Sequence, residues 1–155
     1  MSLEDDIAFF ERVPTLAVLG KNALRVLAIG AETRSLPSGA VLFYAGELAD
    51  AGYVVQQGSI LLEPGTPTEG REMTAGPGTL IGELALLTDM VAPATAIAKE
   101  PTTVIRISRG LFHKMLEGFP PAAKKLHDMM AGRLDEWNSE LEIVKAALNN
   151  ANKEK

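Results

Sequence analysis

The apolar positions of this chain change their period twice. Leu16, Leu19, Ala23, Leu24, Leu27 and Ala28 recur at helical spacing, which predicts one helix with a single apolar face, stopped by Gly30. Ahead of it, Leu3 to Arg12 reads as a short acidic helix that ends before Pro14. From Thr33 the runs shorten: Val41-Leu42-Phe43-Tyr44, Gly52-Tyr53-Val54-Val55, Ser59-Ile60-Leu61-Leu62 and Thr103 to Ser108 are β-branched or aromatic. Pro37-Ser38-Gly39, Gly46-Glu47, Gln57-Gly58, Pro64-Gly65-Thr66-Pro67 and Gly76-Pro77-Gly78 punctuate them. Short strands at a pitch of roughly ten residues, each bounded by turn residues, predict a sandwich or roll. One short helix interrupts it, at Glu83 to Thr88.

After Arg109 the helical period returns. Leu111, Met115 and Leu116 predict a brief helix closed by Gly118 and Pro120-Pro121. In the last segment Met130, Leu134, Trp137, Leu141, Val144 and Leu148 are spaced 4, 3, 4, 3 and 4, a heptad seam. In a parallel homodimer Glu140 would face Lys145 of the partner helix. The plainer alternative is an amphipathic helix packed on its own domain. The organisation read from the pattern is a β-roll with N-terminal helices over 1–120, a dimerisation helix over 121–148, and a polar tail over 149–155.

Composition narrows the classes. With 155 residues, 46% apolar and 23% charged, the chain is one ordinary globular domain. Its net charge is −5 and no basic cluster exceeds Lys124-Lys125, which argues against a nucleic-acid grip. The absence of Cys excludes disulfides, thiolate catalysis and thiolate metal sites. No apolar run is long enough for a membrane span, and Glu4, Asp5 and Asp6 replace the basic start of a secretory signal, so the cytoplasm is expected.

Specific motifs follow. Ile81-Gly82-Glu83-Leu84-Ala85-Leu86-Leu87 precedes Ala94-Thr95-Ala96-Ile97-Ala98. These segments resemble the phosphate-binding cassette of the cyclic-nucleotide-binding domain, as in catabolite activators and protein-kinase regulatory subunits. Phe9-Phe10 with Val13-Pro14, Pro37-Ser38-Gly39 with Val41-Leu42-Phe43, Gly46-Glu47, Asp50, Tyr53 to Val55, Gly58 and Met130-Ala131 with Arg133-Leu134 are similar to other parts of that family. The resemblance runs from residue 9 to about 148. It implies a mainly β fold with flanking helices: an eight-stranded, double-stranded β-roll (jelly roll), N-terminal helices and a long C-terminal dimerisation helix. It also implies a regulatory, non-enzymatic role and cAMP or cGMP as ligand. Glu83 is assigned to a ribose hydroxyl, and Ile81, Gly82, Leu84, Ala85, Ala92, Pro93, Ala94 and Thr95 to the rest of the cassette. A helix starting near Glu83 would aim free N–H groups at the phosphate.

The chain departs from that pattern where an Arg should hold the phosphate. Ala92 stands there with Pro93 after it, and no Lys or Arg occurs between Glu72 and Ala98. Pro93 also removes a backbone donor. Glu72, Glu83 and Asp89 leave the cassette formally negative. Losing a charge-assisted phosphate partner typically costs about 2–5 kcal/mol, so the sequence predicts weak cyclic-nucleotide binding or a different small ligand. Trp137 and Asn138 stand where some members place hydroxyls against the purine. Trp137 could stack on a flat ligand and Asn138 read a base edge, but Trp137 also sits on the heptad register, which favours a seam residue.

Other classes fare worse. A cupin-like metal site needs converging His, and the chain has only His113 and His127, both on predicted helices. No candidate nucleophile has a base nearby in sequence, so no catalytic residue is assigned. A winged helix-turn-helix needs roughly 60 further residues after the long helix, and only a short tail follows Leu148. Two readings therefore stand: a dimeric ligand sensor, or an adaptor or regulatory subunit whose pocket is vestigial and which acts through a protein partner.

Overall fold

A computed structural model describes residues 3–65 and 72–132. The N-terminal region is helical: α1 (Leu3–Phe10), α2 (Pro14–Ala17) and α3 (Lys21–Gly30). The single helix expected over Leu16 to Ala28 is thus two. Gly20, at φ 87°, breaks it, because a left-handed residue cannot continue a right-handed ladder and Gly enters that region without penalty. Proline at the first position of α2 fixes its start.

Among the described residues ten strands follow: β1 (Glu32–Leu36), β2 (Val41–Phe43), β3 (Leu48–Ala49), β4 (Ala51–Gln57), β5 (Ile60–Pro64), β6 (Met73–Ala75), β7 (Leu80–Ile81), β8 (Met90–Val91), β9 (Ala94–Ala98) and β10 (Thr102–Ser108). The order β1-β10-β4-β7 makes one four-stranded sheet and β2-β9-β5-β6 the other, with β3 and β8 forming a separate ribbon. All the pairings are antiparallel. Eight strands were expected; the two-residue ribbon strands β3 and β8 are too short to produce a period in the sequence.

The central strands of the first sheet, β10 and β4, are apolar on both faces. Val54, Ile105 and Ile107 join a core with Phe10, Leu24, Leu27 and Phe112 of the helices. Ala51, Tyr53, Val55 and Val104 face the roll interior with Ile60, Ile81 and Ala96. Alternate side chains of a strand leave opposite faces, so β4 and β10 each supply two cores, which is why β4 is buried over six consecutive residues. Each of its large side chains contributes about 1.5–3 kcal/mol by leaving water. Helix α4 (Arg109–Gly118) closes the roll, its first turn capped by Ser108 Oγ, which accepts from the Leu111 N–H at 3.1 Å. A further helix, α5, covers residues 120–132, and Ala122 and Leu126 bury themselves in the helical core. No described helix is long and apolar enough to cross a membrane.

Candidate functional site

A cavity of about 600 Å³ opens where the cassette meets the roll interior. Strand β7 delivers Ile81 to its wall, and Gly82 turns the chain at φ 81°. A Cβ on Gly82 would sit 3.0 Å from the Ala51 carbonyl oxygen, so both the turn and the close backbone approach require glycine here. The turn leads into Leu84–Leu86, a single 3-10 turn rather than the longer helix expected over Glu83 to Thr88. Three residues cannot build the macrodipole of a full helix, which weakens that part of an anion grip.

The cassette's polar groups hold the structure together. Glu83 Oε1 accepts a 2.8 Å hydrogen bond from Thr15 Oγ1 on α2, and Thr15 is itself buried. The same carboxylate lines the cavity, so it links the N-terminal helices to the site. From α4, Arg109 donates through Nε to the Ala85 carbonyl at 2.8 Å and through Nη2 to the Ala49 carbonyl at 2.6 Å. Its Nη1 pairs with Asp89. The negative charge read along the cassette is therefore partly cancelled by a residue distant in sequence.

Ile81, Gly82, Glu83, Leu84, Ala85, Ala92, Pro93 and Ala94 all line the cavity. Thr95 does not: its Oγ1 accepts the Ala45 N–H at 2.9 Å and so pins the turn after β2. Trp137 and Asn138 lie outside the described residues, as do Leu134, Leu141, Val144 and Leu148 of the heptad seam. Met130, the first seam residue, is half-buried against the chain's own helical core. At the Arg position, Ala92 is 6% exposed and its backbone pairs with Glu47 and Gly46 across the ribbon.

Sequence reasoning missed the opposite wall. Phe43 and Tyr53 stack there in a tilted pair, ring centroids 5.8 Å apart, and Leu42 and Leu62 extend the apolar lining. Arg34 of β1 and Arg106 of β10 also line the cavity and are its only cations among the described residues. An Arg in phase with the inward-facing Val104 was the available signal for Arg106. Strand β1 carries the polar sequence Glu-Thr-Arg-Ser-Leu, so no apolar period marked Arg34. His113 and His127 are solvent-exposed on α4 and α5, and the described residues hold no group of His or carboxylates able to bind a metal.

The roll, its flanking helices and the Gly-Glu turn define a class of regulatory domain. The family model of the cyclic nucleotide-binding domain matches residues 33–119, more than half of the chain, and the chain belongs to that family. It is 34% identical over 116 residues to the cyclic AMP receptor protein of Thermus thermophilus, covering 73% of this chain and 53% of that one. It is 28% identical over 112 residues to a cyclic nucleotide-gated potassium channel of Mesorhizobium japonicum, covering 72% of this chain and 30% of the channel. The crystal structure of the N-terminal domain of a Streptomyces coelicolor transcriptional regulator superposes with a TM-score of 0.77 at 29% identity, covering 86% of this chain and 94% of that domain. The chain thus spans about half the length of the receptor and about a third of the channel.

Proposed function

We propose that the chain is a regulatory sensor whose cavity binds cyclic nucleotide weakly, or binds a different small ligand, because the cassette has lost its cationic phosphate partner. The observation that carries this reading is the pairing of a retained, largely apolar cavity with Ala92 and Pro93 at the anion position. Chemistry beyond capture is not part of the reading: the cavity's carboxylates are suited to hydrogen bonding, and Glu83 is already bonded to Thr15. The signal would leave through the helical layer, since Thr15 and Arg109 tie the cassette to α2 and α4. A ligand must favour one arrangement of those helices over another to shift their equilibrium. Dimerisation through Met130, Leu134, Trp137, Leu141, Val144 and Leu148, and a cytoplasmic location, complete the proposal.

Isothermal titration with cAMP and cGMP tests it, with Ala92→Arg alongside the wild type. The expected result is affinity no better than high micromolar for wild type and at least about thirtyfold tighter binding for Ala92→Arg. Low-micromolar binding by wild type would overturn the reading.

The second reading, an adaptor with a vestigial pocket, draws on one feature. Leu48 and Val91 face each other across the β3–β8 ribbon, and both are exposed, as are Tyr44 and Leu84 nearby in sequence. An apolar rim of this kind suits a protein partner. Silence from every small ligand, with an intact fold, favours this reading.

A further inference from the structure

The cavity has lost a cation at one end and holds two at the other. Arg106 stands opposite Glu32 in the β1–β10 ladder, and Arg34 lies two residues along β1 from Glu32. The two arginines are therefore diagonal neighbours, with Cα atoms roughly 7–8 Å apart on one face of the sheet. That spacing lets two guanidinium groups converge on a single anion. Each currently makes one ion pair at 3.3 Å, Arg34 with Glu32 and Arg106 with Asp50. In both pairs the carboxylate is the more exposed partner: 61% against 44% for Glu32 and Arg34, and 73% against 19% for Asp50 and Arg106. Exposed pairs of this sort are weak, and a guanidinium offers five N–H donors. A ligand anion can displace the carboxylates into water, or share the guanidinium groups with them.

The remaining wall decides the rest of the ligand. Phe43, Tyr53 and Leu62 give the cavity an apolar lining, and Ile81, Ala92, Pro93 and Ala94 of the cassette extend it. Resting on the ligand-sensor reading, we propose that the cavity takes an organic acid in an orientation opposite to the family pattern. The carboxylate sits between Arg34 and Arg106, and the apolar body runs past Phe43 and Tyr53 towards Ala92. The class is a small monocarboxylic acid with an apolar body, and the two arginines determine the preference for the acid over a neutral molecule of the same shape.

Octanoate and 1-octanol share a chain and differ in the headgroup, so titrating both isolates the anion locus. Wild type is expected to bind octanoate roughly tenfold or more tightly than octanol. Arg106→Gln and Arg34→Gln each reduce that preference several-fold, the double variant abolishes it, and octanol affinity does not change. Circular dichroism melts of the variants check the fold. Equal binding of acid and alcohol by wild type, or a preference that survives the double substitution, overturns the inference while leaving a working pocket. Failure of both ligands to bind overturns the inference alone, and the cAMP and cGMP titration then decides the ligand-sensor reading separately.

Discussion

The two edges of the first sheet, the cassette that follows β7 and the β1–β10 pair, use the charged and polar side chains around them differently. At the cassette end Glu83 is bonded to a buried Thr15, and Arg109 bridges two backbone carbonyls and Asp89. At the β1–β10 end Arg34 and Arg106 make single contacts to solvent-facing carboxylates. Groups at the first end hold elements together, so changing them disturbs the fold. Groups at the second end can exchange partners, so changing them should cost the fold little. Under the proposed reading, a pocket of this family changes its ligand without losing its architecture.

Breaking the cassette end should produce the largest effects. Arg109→Ala leaves the Ala85 and Ala49 carbonyls without this donor and releases Asp89, and it should destabilise the chain by about 3 kcal/mol in urea denaturation. Gly82→Ala forces a side chain into a left-handed turn against the Ala51 carbonyl, with a loss of about 2 kcal/mol by the same measurement. Thr15→Val keeps the shape but removes the donor to Glu83, and a thermal melt should register a loss of about 1 kcal/mol. At the other end, Arg106→Gln and Arg34→Gln should each change stability by less than about 1 kcal/mol. If those two substitutions cost as much as Arg109→Ala, the contrast between the ends is lost.

Much of this was legible in the sequence for physical reasons. The inward β-branched residues of β4 and β10 sit against a packed core, so burial forces a period that can be read directly. The Gly-Glu turn was legible because only glycine tolerates that conformation and that approach. The break at Gly20 was missed because Leu16, Leu19 and Ala23 keep a helical spacing across it while their side chains reach one shared core. Strands β3 and β8 have two residues each, below the length at which alternation carries information. The far wall was illegible for a different reason. Arg34 and Arg106 are 72 positions apart in a register that only the sheet reveals, and a single charged residue in a strand does not say which cavity it faces. Thr95 shows the limit of a motif position, since its hydroxyl accepts from a backbone amide that no local pattern marks.

The most direct test follows the backbone amides of 15N-labelled protein during titration with cAMP. A cassette without its cation predicts that the Gly82, Glu83, Leu84 and Ala85 signals move little below high-micromolar cAMP and are not saturated at low-micromolar concentrations. Saturable shifts of those same four amides at low-micromolar cAMP would contradict the account, because they would show that the cassette grips the phosphate without an arginine.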